Sequence, residues 1–125
     1  MITIENIMSK PIILENEDAT VEEIVKTMTE NGIGSVLIGK NLDAVGIITE
    51  RDLITKVLYK GLDIAKTKAR DIMSSPLLQM DKHSPVPEAA LKMSNSNLEH
   101  IVVTDEEGMV GIVSARDIAY FASTT

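Results

Sequence analysis

Short apolar runs and helically spaced apolar residues follow one another in a fixed order along this chain, and the order occurs twice. In the first occurrence the run Ile12–Leu14 precedes a polar turn. From Val21 onward, apolar residues recur every three or four positions, which is typical of an amphipathic helix. Two further apolar runs, Ser35–Ile38 and Ala44–Ile48, predict strands. A second helix is predicted from about Arg51 to Lys60, so the segment has the order β-α-β-β-α.

The second half of the chain repeats this order. A shift of 65 residues aligns the two halves without a gap and pairs twelve identical residues among 60. One gap-free register over the whole length indicates a tandem duplication. We therefore predict one repeat over residues 1–62, a second over 63–125, and a linker at about 61–70. The second repeat's predicted strands and helices are Leu77–Gln79, a helix from Val86, His100–Val103, Met109–Val113 and Arg116–Ala122.

The length of 125 residues suits one domain built from two small units. A unit of about 60 residues is only marginally stable alone, so the repeats should pack together. We expect an α/β (α+β) fold in which two small sheets with flanking helices pack about a pseudo-two-fold axis and leave two related clefts. No apolar run reaches the roughly 18 residues of a membrane span. The first residues, MITIENIMSK, do not resemble a secretory signal, so we expect a cytoplasmic protein.

Composition excludes several kinds of chemistry. The chain has no cysteine, which removes disulfides, thiolate metal sites and a cysteine nucleophile. The separation of the only two histidines, His83 and His100, matches no metal-binding spacing, so no metal site is predicted. The sequence has no phosphate-loop or nucleophile motif, and Asp52 and Asp117 would lie in separate clefts, so no catalytic site is predicted. The net charge of −7 argues against nucleic-acid binding, although the basic segment KTKAR at residues 66–70 keeps that possibility open.

Two similar motifs carry the candidate chemistry. Thr49 and Asp52, and likewise Ser114 and Asp117, stand three residues apart where a strand gives way to a helix. This spacing fits helix capping. It also fits ligand binding, because free N–H groups at a helix start attract anions and a carboxylate can accept hydrogen bonds from ribose hydroxyls. Both interpretations stay open on spacing alone.

The surrounding motifs resemble those of the CBS domain (cystathionine beta-synthase domain). The segments GIITERD and GIVSARD look like the signature of that family, and IMSKP and IMSSP look like its opening segments. The resemblance covers essentially the whole chain, as one CBS pair with nothing attached. It implies a pseudo-symmetric regulatory module, often dimeric, that binds adenosine nucleotides in its clefts and requires no cofactor.

The resemblance also implies roles for individual residues. Asp52 and Asp117 would hold ribose, and Thr49 and Ser114 would contact phosphate. His100 would cross to the phosphate at Thr49 and Asp52, and Ser35 would face Ser114 and Asp117 as a weaker ligand. In the linker, Lys68 and Arg70 would reach phosphates at the Asp117 cleft. Solvent exposure is the alternative for His100, Lys68 and Arg70, and also for Arg51 and Arg116, whose charge would otherwise suit phosphate.

The predicted function is therefore a non-enzymatic module that binds AMP, ADP or ATP and senses the energy state for an unidentified partner protein. A scaffold whose clefts are vestigial is one alternative, and binding of S-adenosylmethionine or nucleic acid is another. The three aromatic residues, Tyr59, Tyr120 and Phe121, all lie in or at the end of the second helix of a repeat. Aromatic residues are enriched at interfaces, although packing of these helices within the chain is the alternative. The resemblance implies dimerisation through these helices, so we predict a homodimer.

Overall fold

A computed structural model describes residues 1–10, 12–41 and 43–124. It divides into two compact units. The central unit comprises Ile13–Leu77, and the terminal unit combines Met1–Ile12 with Leu78–Thr125. No helix within the described residues is long and apolar enough to cross a membrane.

The central unit contains one three-stranded sheet. Its strands have the order β1-β2-β3, with β1 parallel and β3 antiparallel to β2. Helix α2 continues directly into a π-helical stretch, Leu53–Leu58. The elements are β1 (Leu14–Asn16), α1 (Val21–Asn31), β2 (Ser35–Lys40), β3 (Asp43–Thr49), α2 (Glu50–Asp52) and α3 (Ala69–Ile72).

The terminal unit repeats this arrangement. Its sheet has the order β4-β5-β6, again with one parallel and one antiparallel pair. These two sheets with their helices confirm the predicted α+β fold and the tandem β-α-β-β-α order. The elements are a 3₁₀ turn (Ile4–Asn6), β4 (Gln79–Asp81), α4 (Val86–Ser96), β5 (His100–Asp105), β6 (Gly108–Ser114) and α5 (Ala115–Ser123).

Local sequence signals set the ends of helix α1. Thr20 is the N-cap of this helix, because its hydroxyl accepts a hydrogen bond from the Glu23 backbone N–H at 3.2 Å. Gly32 ends the helix in the left-handed conformation, with φ of 61°. Strand β1 starts two residues later than the apolar run predicted, because its ladder with β2 begins at the pair Leu14 and Leu37.

Each unit completes its core with a residue from the opening segment of the other repeat, a term that here includes the residues just before IMS, from Ile4 in the first repeat and from Ala69 in the second. Ile4 is fully buried in the terminal unit, and its N–H donates to the Ser84 carbonyl at 2.9 Å. Ala69, which stands 65 residues later, is fully buried in the central unit, and its N–H donates to the Ala19 carbonyl at 2.8 Å. The segment predicted as a linker therefore ends at helix α3, whose Ala69 and Ile72 are buried.

The compact units consequently differ from the sequence repeats. A division at residue 62 groups each opening segment with the rest of its own sequence repeat. In the folded chain the same segment belongs to the unit that is formed mainly by the other repeat. The repeat boundaries at 1–62 and 63–125 describe the duplication and stay a prediction.

The signature glycines allow a methionine to lie against the sheet. A Cβ placed on Gly46 would lie 2.6 Å from the Met73 sulfur and 3.0 Å from the Ser74 carbonyl oxygen. At Gly111 the equivalent Cβ would lie 2.4 Å from the Met8 sulfur. Each glycine therefore provides the space in which the methionine of the IMS segment packs.

Candidate functional site

Both predicted hydroxyl–aspartate pairs lie at a helix start and form reciprocal caps. The Thr49 N–H donates to Asp52 Oδ2 at 3.0 Å, and the Asp52 N–H donates to the Thr49 hydroxyl at 3.2 Å. In the terminal unit the corresponding distances for Ser114 and Asp117 are 2.9 and 3.0 Å. The capping interpretation is therefore confirmed at both places, and each box occupies one oxygen of its aspartate.

The second oxygen of Asp52 belongs to a buried polar cluster. Asp52 is 8% exposed, and its Oδ1 lies 3.1 Å from the ammonium of Lys56 and 3.3 Å from the hydroxyl of Ser74. The same ammonium donates to the Ile72 carbonyl at 3.0 Å and to the Ser74 hydroxyl at 3.1 Å. Lys56 therefore contacts both Asp52 and the opening segment of the second repeat.

The helix that carries Lys56 is wound more loosely than an α-helix. The Tyr59 N–H donates to the Ile54 carbonyl at 2.9 Å, five residues earlier in the chain. Leu62 makes the same kind of bond to Val57 at 3.0 Å. These bonds define a π-helical stretch, a conformation found often at functional sites.

Asp117 has a different environment. It is half-buried, and the position equivalent to Lys56 is Phe121, which packs against the terminal core. Ser9, the equivalent of Ser74, is exposed. The capping bond from the Ser114 N–H reaches Asp117 Oδ2 and leaves Oδ1 outside the box. This carboxylate retains an oxygen that can accept hydrogen bonds from a ligand.

The remaining predicted residues of the helix starts lie close to these pairs. Arg51 and Arg116 occupy the first turn of α2 and α5 and are exposed. Ser35 stands opposite Thr49 in the β2–β3 register, and His100 stands opposite Ser114 in the β5–β6 register.

Each unit therefore assembles one strand-end residue with its own hydroxyl–aspartate pair. In the terminal unit the Ala115 N–H donates to the Glu99 carbonyl at 2.8 Å, which holds the start of α5 next to the residue before His100. The prediction that His100 serves Thr49 and Asp52, and Ser35 serves Ser114 and Asp117, stays a prediction.

The two basic linker residues lie in the central unit, together with Asp52. Lys68 precedes α3, and its backbone N–H donates to Asp71 Oδ2 at 3.1 Å. The Arg70 guanidinium forms an ion pair with Asp18. Their predicted role at the phosphate of an Asp117 ligand stays a prediction.

His83 lies in an exposed turn of the terminal unit. The Asp81 carboxylate accepts a hydrogen bond from the His83 backbone N–H at 2.8 Å, and the imidazole Nδ1 lies 3.0 Å from the same oxygen. The backbone bond is the main cause that lowers the pKa of Asp81 below its usual value. These contacts stabilise the turn between β4 and α4 and involve neither hydroxyl–aspartate pair.

An open groove of about 290 Å³ also lies in the terminal unit. It separates the end of α4 from the first turn of α5 and touches neither Ser114 nor Asp117. Its lining is mostly apolar, with Met93, Leu98 and Ile118 among the contributing residues.

Sequence reasoning missed Lys56 and Ser74. Lys56 stands four residues after Asp52, a spacing that brings side chains together on a helix, and this signal was available. Ser74 is separated from Asp52 by 22 residues, and only the folded chain brings it close.

The chain is similar to known proteins over most of its length. A family model described as CBS domain matches residues 4–59 and 69–123. An uncharacterized protein of Methanopyrus kandleri is 35% identical over 119 residues, which cover 94% of this chain. The chain spans only 61% of the length of that relative.

Two solved structures share the fold over nearly the whole chain. A putative signal-transduction protein with CBS domains from Burkholderia ambifaria has a TM-score of 0.88 at 26% identity, and the match covers 98% of this chain and 95% of that one. A CBS domain pair in complex with 5′-methylthioadenosine and S-adenosyl-L-methionine has a TM-score of 0.84 at 29% identity, with coverage of 99% and 98%. Adenosine-containing ligands are therefore bound by a protein of this fold.

Proposed function

This chain belongs to the CBS domain family, and from that premise we propose that it is a non-catalytic regulatory module that binds an adenosine nucleotide at Asp117. The nucleotide would be AMP, ADP or ATP, and its binding would report the energy state to a partner protein. The observation that carries the proposal is the second carboxylate oxygen of Asp117, which the capping box leaves available.

Ribose is the part of the ligand that this oxygen suits. A ribose carries two neighbouring hydroxyls, and each can donate a hydrogen bond to a carboxylate. Asp117 is fixed in place by its cap, so little side-chain freedom would be lost on binding. Both adenosine compounds in the related CBS pair also contain ribose. The ribose contact supports a ribonucleoside ligand, and the ligands of the related CBS pair favour adenosine among these.

Nearby groups favour a ligand with phosphate over an uncharged one. Arg116 is exposed one residue before Asp117, and the Ser114 hydroxyl is at the helix start. Guanidinium groups form strong charge-assisted hydrogen bonds with phosphate oxygens. S-Adenosylmethionine carries no phosphate, and its sulfonium and ammonium groups outweigh its one carboxylate. These charges support a nucleotide over the sulfonium compound.

A ligand panel tests this function. Isothermal calorimetry with AMP, ADP, ATP, S-adenosylmethionine and adenosine should give heat of binding for the phosphate-bearing compounds, with weaker binding of adenosine. The midpoint temperature of thermal unfolding should rise in the presence of the nucleotides that bind, because a ligand that binds only the folded state stabilises it. Absence of binding by all five compounds would overturn the proposal.

We also propose that the chain forms a homodimer through its exposed helices. In the central unit Leu58 is 72% exposed and Tyr59 is 87% exposed, and Tyr120 of the terminal unit is 72% exposed. Phe121 differs, because it packs against the terminal core and so does not contribute to an exposed aromatic surface. Large exposed apolar side chains of this kind support a protein-contact role.

A further inference from the structure

We infer that Lys56 turns the Asp52 carboxylate into a structural ion pair, so that the chain binds one adenosine ligand, at Asp117, and none at Asp52. The inference rests on the proposed function, and it deepens that function by naming the residue that makes the two repeats unequal. The determining difference is Lys56 in one repeat and Phe121 at the same position in the other.

The Asp52 carboxylate is already occupied by partners of its own unit. Its Oδ2 accepts from the Thr49 N–H at 3.0 Å, while Oδ1 lies within 3.3 Å of the Lys56 ammonium and the Ser74 hydroxyl. A carboxylate offers about four acceptor positions. Three of these are in use, whereas a ribose would need two. Binding of ribose at Asp52 therefore requires one internal partner to leave.

Lys56 is held too firmly to be that partner. An ammonium has three N–H donors. Its nitrogen has three acceptors within reach, namely Asp52 Oδ1 at 3.1 Å, the Ile72 carbonyl at 3.0 Å and the Ser74 hydroxyl at 3.1 Å. Moving Lys56 aside would leave Asp52, which is 8% exposed, without its counter-charge. The Lys56 side chain is itself 36% exposed, but loss of the counter-charge beside a nearly buried carboxylate is unfavourable.

The same three contacts argue against Lys56 as a ligand for phosphate. All of its donors are directed at groups of its own unit, so a phosphate would have to replace acceptors that are already in place. Lys56 thus serves the fold of the central unit.

The terminal unit shows the alternative arrangement within the same molecule. Phe121 supplies no donor and packs on the core, and the exposed Ser9 replaces Ser74. The capping box is nevertheless equally complete, with distances of 2.9 and 3.0 Å. The two aspartates therefore share the same capping geometry and differ in the Lys56–Ser74 cluster that contacts the second oxygen of Asp52.

Stoichiometry tests the inference. Calorimetry with AMP should give one equivalent per chain for the parent and two for Lys56→Met, which removes the ammonium and keeps the length of the side chain. Lys56→Arg retains a cation and should keep one equivalent. The matched control is Lys60→Met, at an exposed lysine on the same segment, and it should also keep one equivalent.

The outcomes separate this inference from the proposed function. Two equivalents in the parent, or one equivalent in a folded Lys56→Met variant, would overturn the inference while leaving binding at Asp117 intact. No binding to either protein would overturn the proposed function and this inference together.

A measurement on the parent covers the case in which Lys56→Met does not fold. Aspartate carboxyl carbons labelled with ¹³C are followed by NMR as AMP is added. The Asp117 signal should shift and the Asp52 signal should stay in place. A ligand-dependent shift of the Asp52 signal as large as that of Asp117 would contradict the inference.

Discussion

At the scale of single residues, the two signature aspartates differ in the contacts of one carboxylate oxygen. Each uses one oxygen to cap its helix, as the bonds from the Thr49 and Ser114 N–H groups show. The other oxygen decides what each aspartate can still bind. At Asp52 that oxygen contacts Lys56 and Ser74, whereas the cap of Asp117 uses Oδ2 and leaves Oδ1 outside the box. One substitution between the repeats, lysine against phenylalanine, accounts for most of this difference.

Replacement of Asp117 by alanine should weaken nucleotide binding. We expect Asp117→Ala to lower the affinity for AMP by about 2 kcal/mol, roughly 30-fold, because two hydrogen bonds to a charged acceptor are lost. The parent should also bind 2′-deoxy-AMP more weakly than AMP, and the variant should hardly distinguish them. Calorimetry measures both. Equal affinity of the parent for the two nucleotides would contradict the ribose contact.

The residues of these caps could be predicted because they are local in the sequence. A hydroxyl and an aspartate three residues apart at the end of an apolar strand predict a box, and both boxes are present. The role of Lys56 could not be read in the same way. A lysine on a helix is usually solvated, and two of its three acceptors, Ile72 and Ser74, come from a distant segment.

At the scale of elements, the packing of the IMS segments on the sheets explains why the signature contains glycine. Met73 and Ser74 lie directly over Gly46, and the Ser74 backbone pairs with Ile47 through bonds of 2.9 and 3.0 Å. Met8 and Ser9 repeat this contact at Gly111 and Ile112. The opening segment and the signature strand thus form one structural element, although they are far apart in the sequence.

Gly46→Ala should destabilise the protein. Its methyl group would meet the Ser74 carbonyl oxygen at 3.0 Å as well as the Met73 side chain, and backbone cannot move aside easily. Overpacking of this kind typically costs about 1–3 kcal/mol. The control is Gly34→Ala, whose methyl group would meet only the end of the flexible Glu50 side chain. Urea unfolding should show a clearly larger loss for Gly46→Ala, and equal losses would contradict this account.

The helices could be predicted in type but not in winding. The chain was expected to be helical from Arg51 to Lys60, and it is helical from Glu50 to Leu58. Apolar spacing does not distinguish a π-helical stretch from an α-helix over so few residues. The equivalent helix α5, Ala115–Ser123, is a regular α-helix.

At the scale of the whole molecule, neither repeat contains all of its own core. Ile4 completes the terminal core, and Ala69 and Ile72 complete the central one. The duplication could be predicted from the 65-residue register. The packing of each opening segment on the other repeat could not be predicted, because the sequence duplication does not indicate which repeat a segment contacts in the folded chain.

Truncation of Ile4 should therefore destabilise the terminal unit, which is formed mainly from the other end of the chain. Ile4 is fully buried, and replacement of a buried isoleucine by alanine costs about 2–5 kcal/mol. The control is Ile2→Ala, since Ile2 is 45% exposed. Hydrogen exchange should show a loss of protection in β5 and β6 of Ile4→Ala. Unchanged protection there would show that the segment is dispensable.

The homodimer is predicted to depend on exposed aromatic residues. Tyr59→Glu combined with Tyr120→Glu should shift the protein from dimer to monomer in light scattering, because charge is disfavoured at the centre of an interface. The secondary structure should be retained, since both side chains are exposed. Lys60→Glu changes the charge beside Tyr59 without removing an apolar group and should leave the dimer intact. A parent mass of 13.6 kDa would contradict the prediction.

The exchange of opening segments also bears on how the duplication arose. An ancestral polypeptide with a single repeat could have completed its core only by donating its opening segment to a second molecule and receiving one in return. Its folding would then have depended on protein concentration, as in any obligate dimer. Fusion of two gene copies placed both segments in one polypeptide and removed that dependence. The fusion also allowed the two halves to diverge, so that one could acquire a lysine where the other has a phenylalanine.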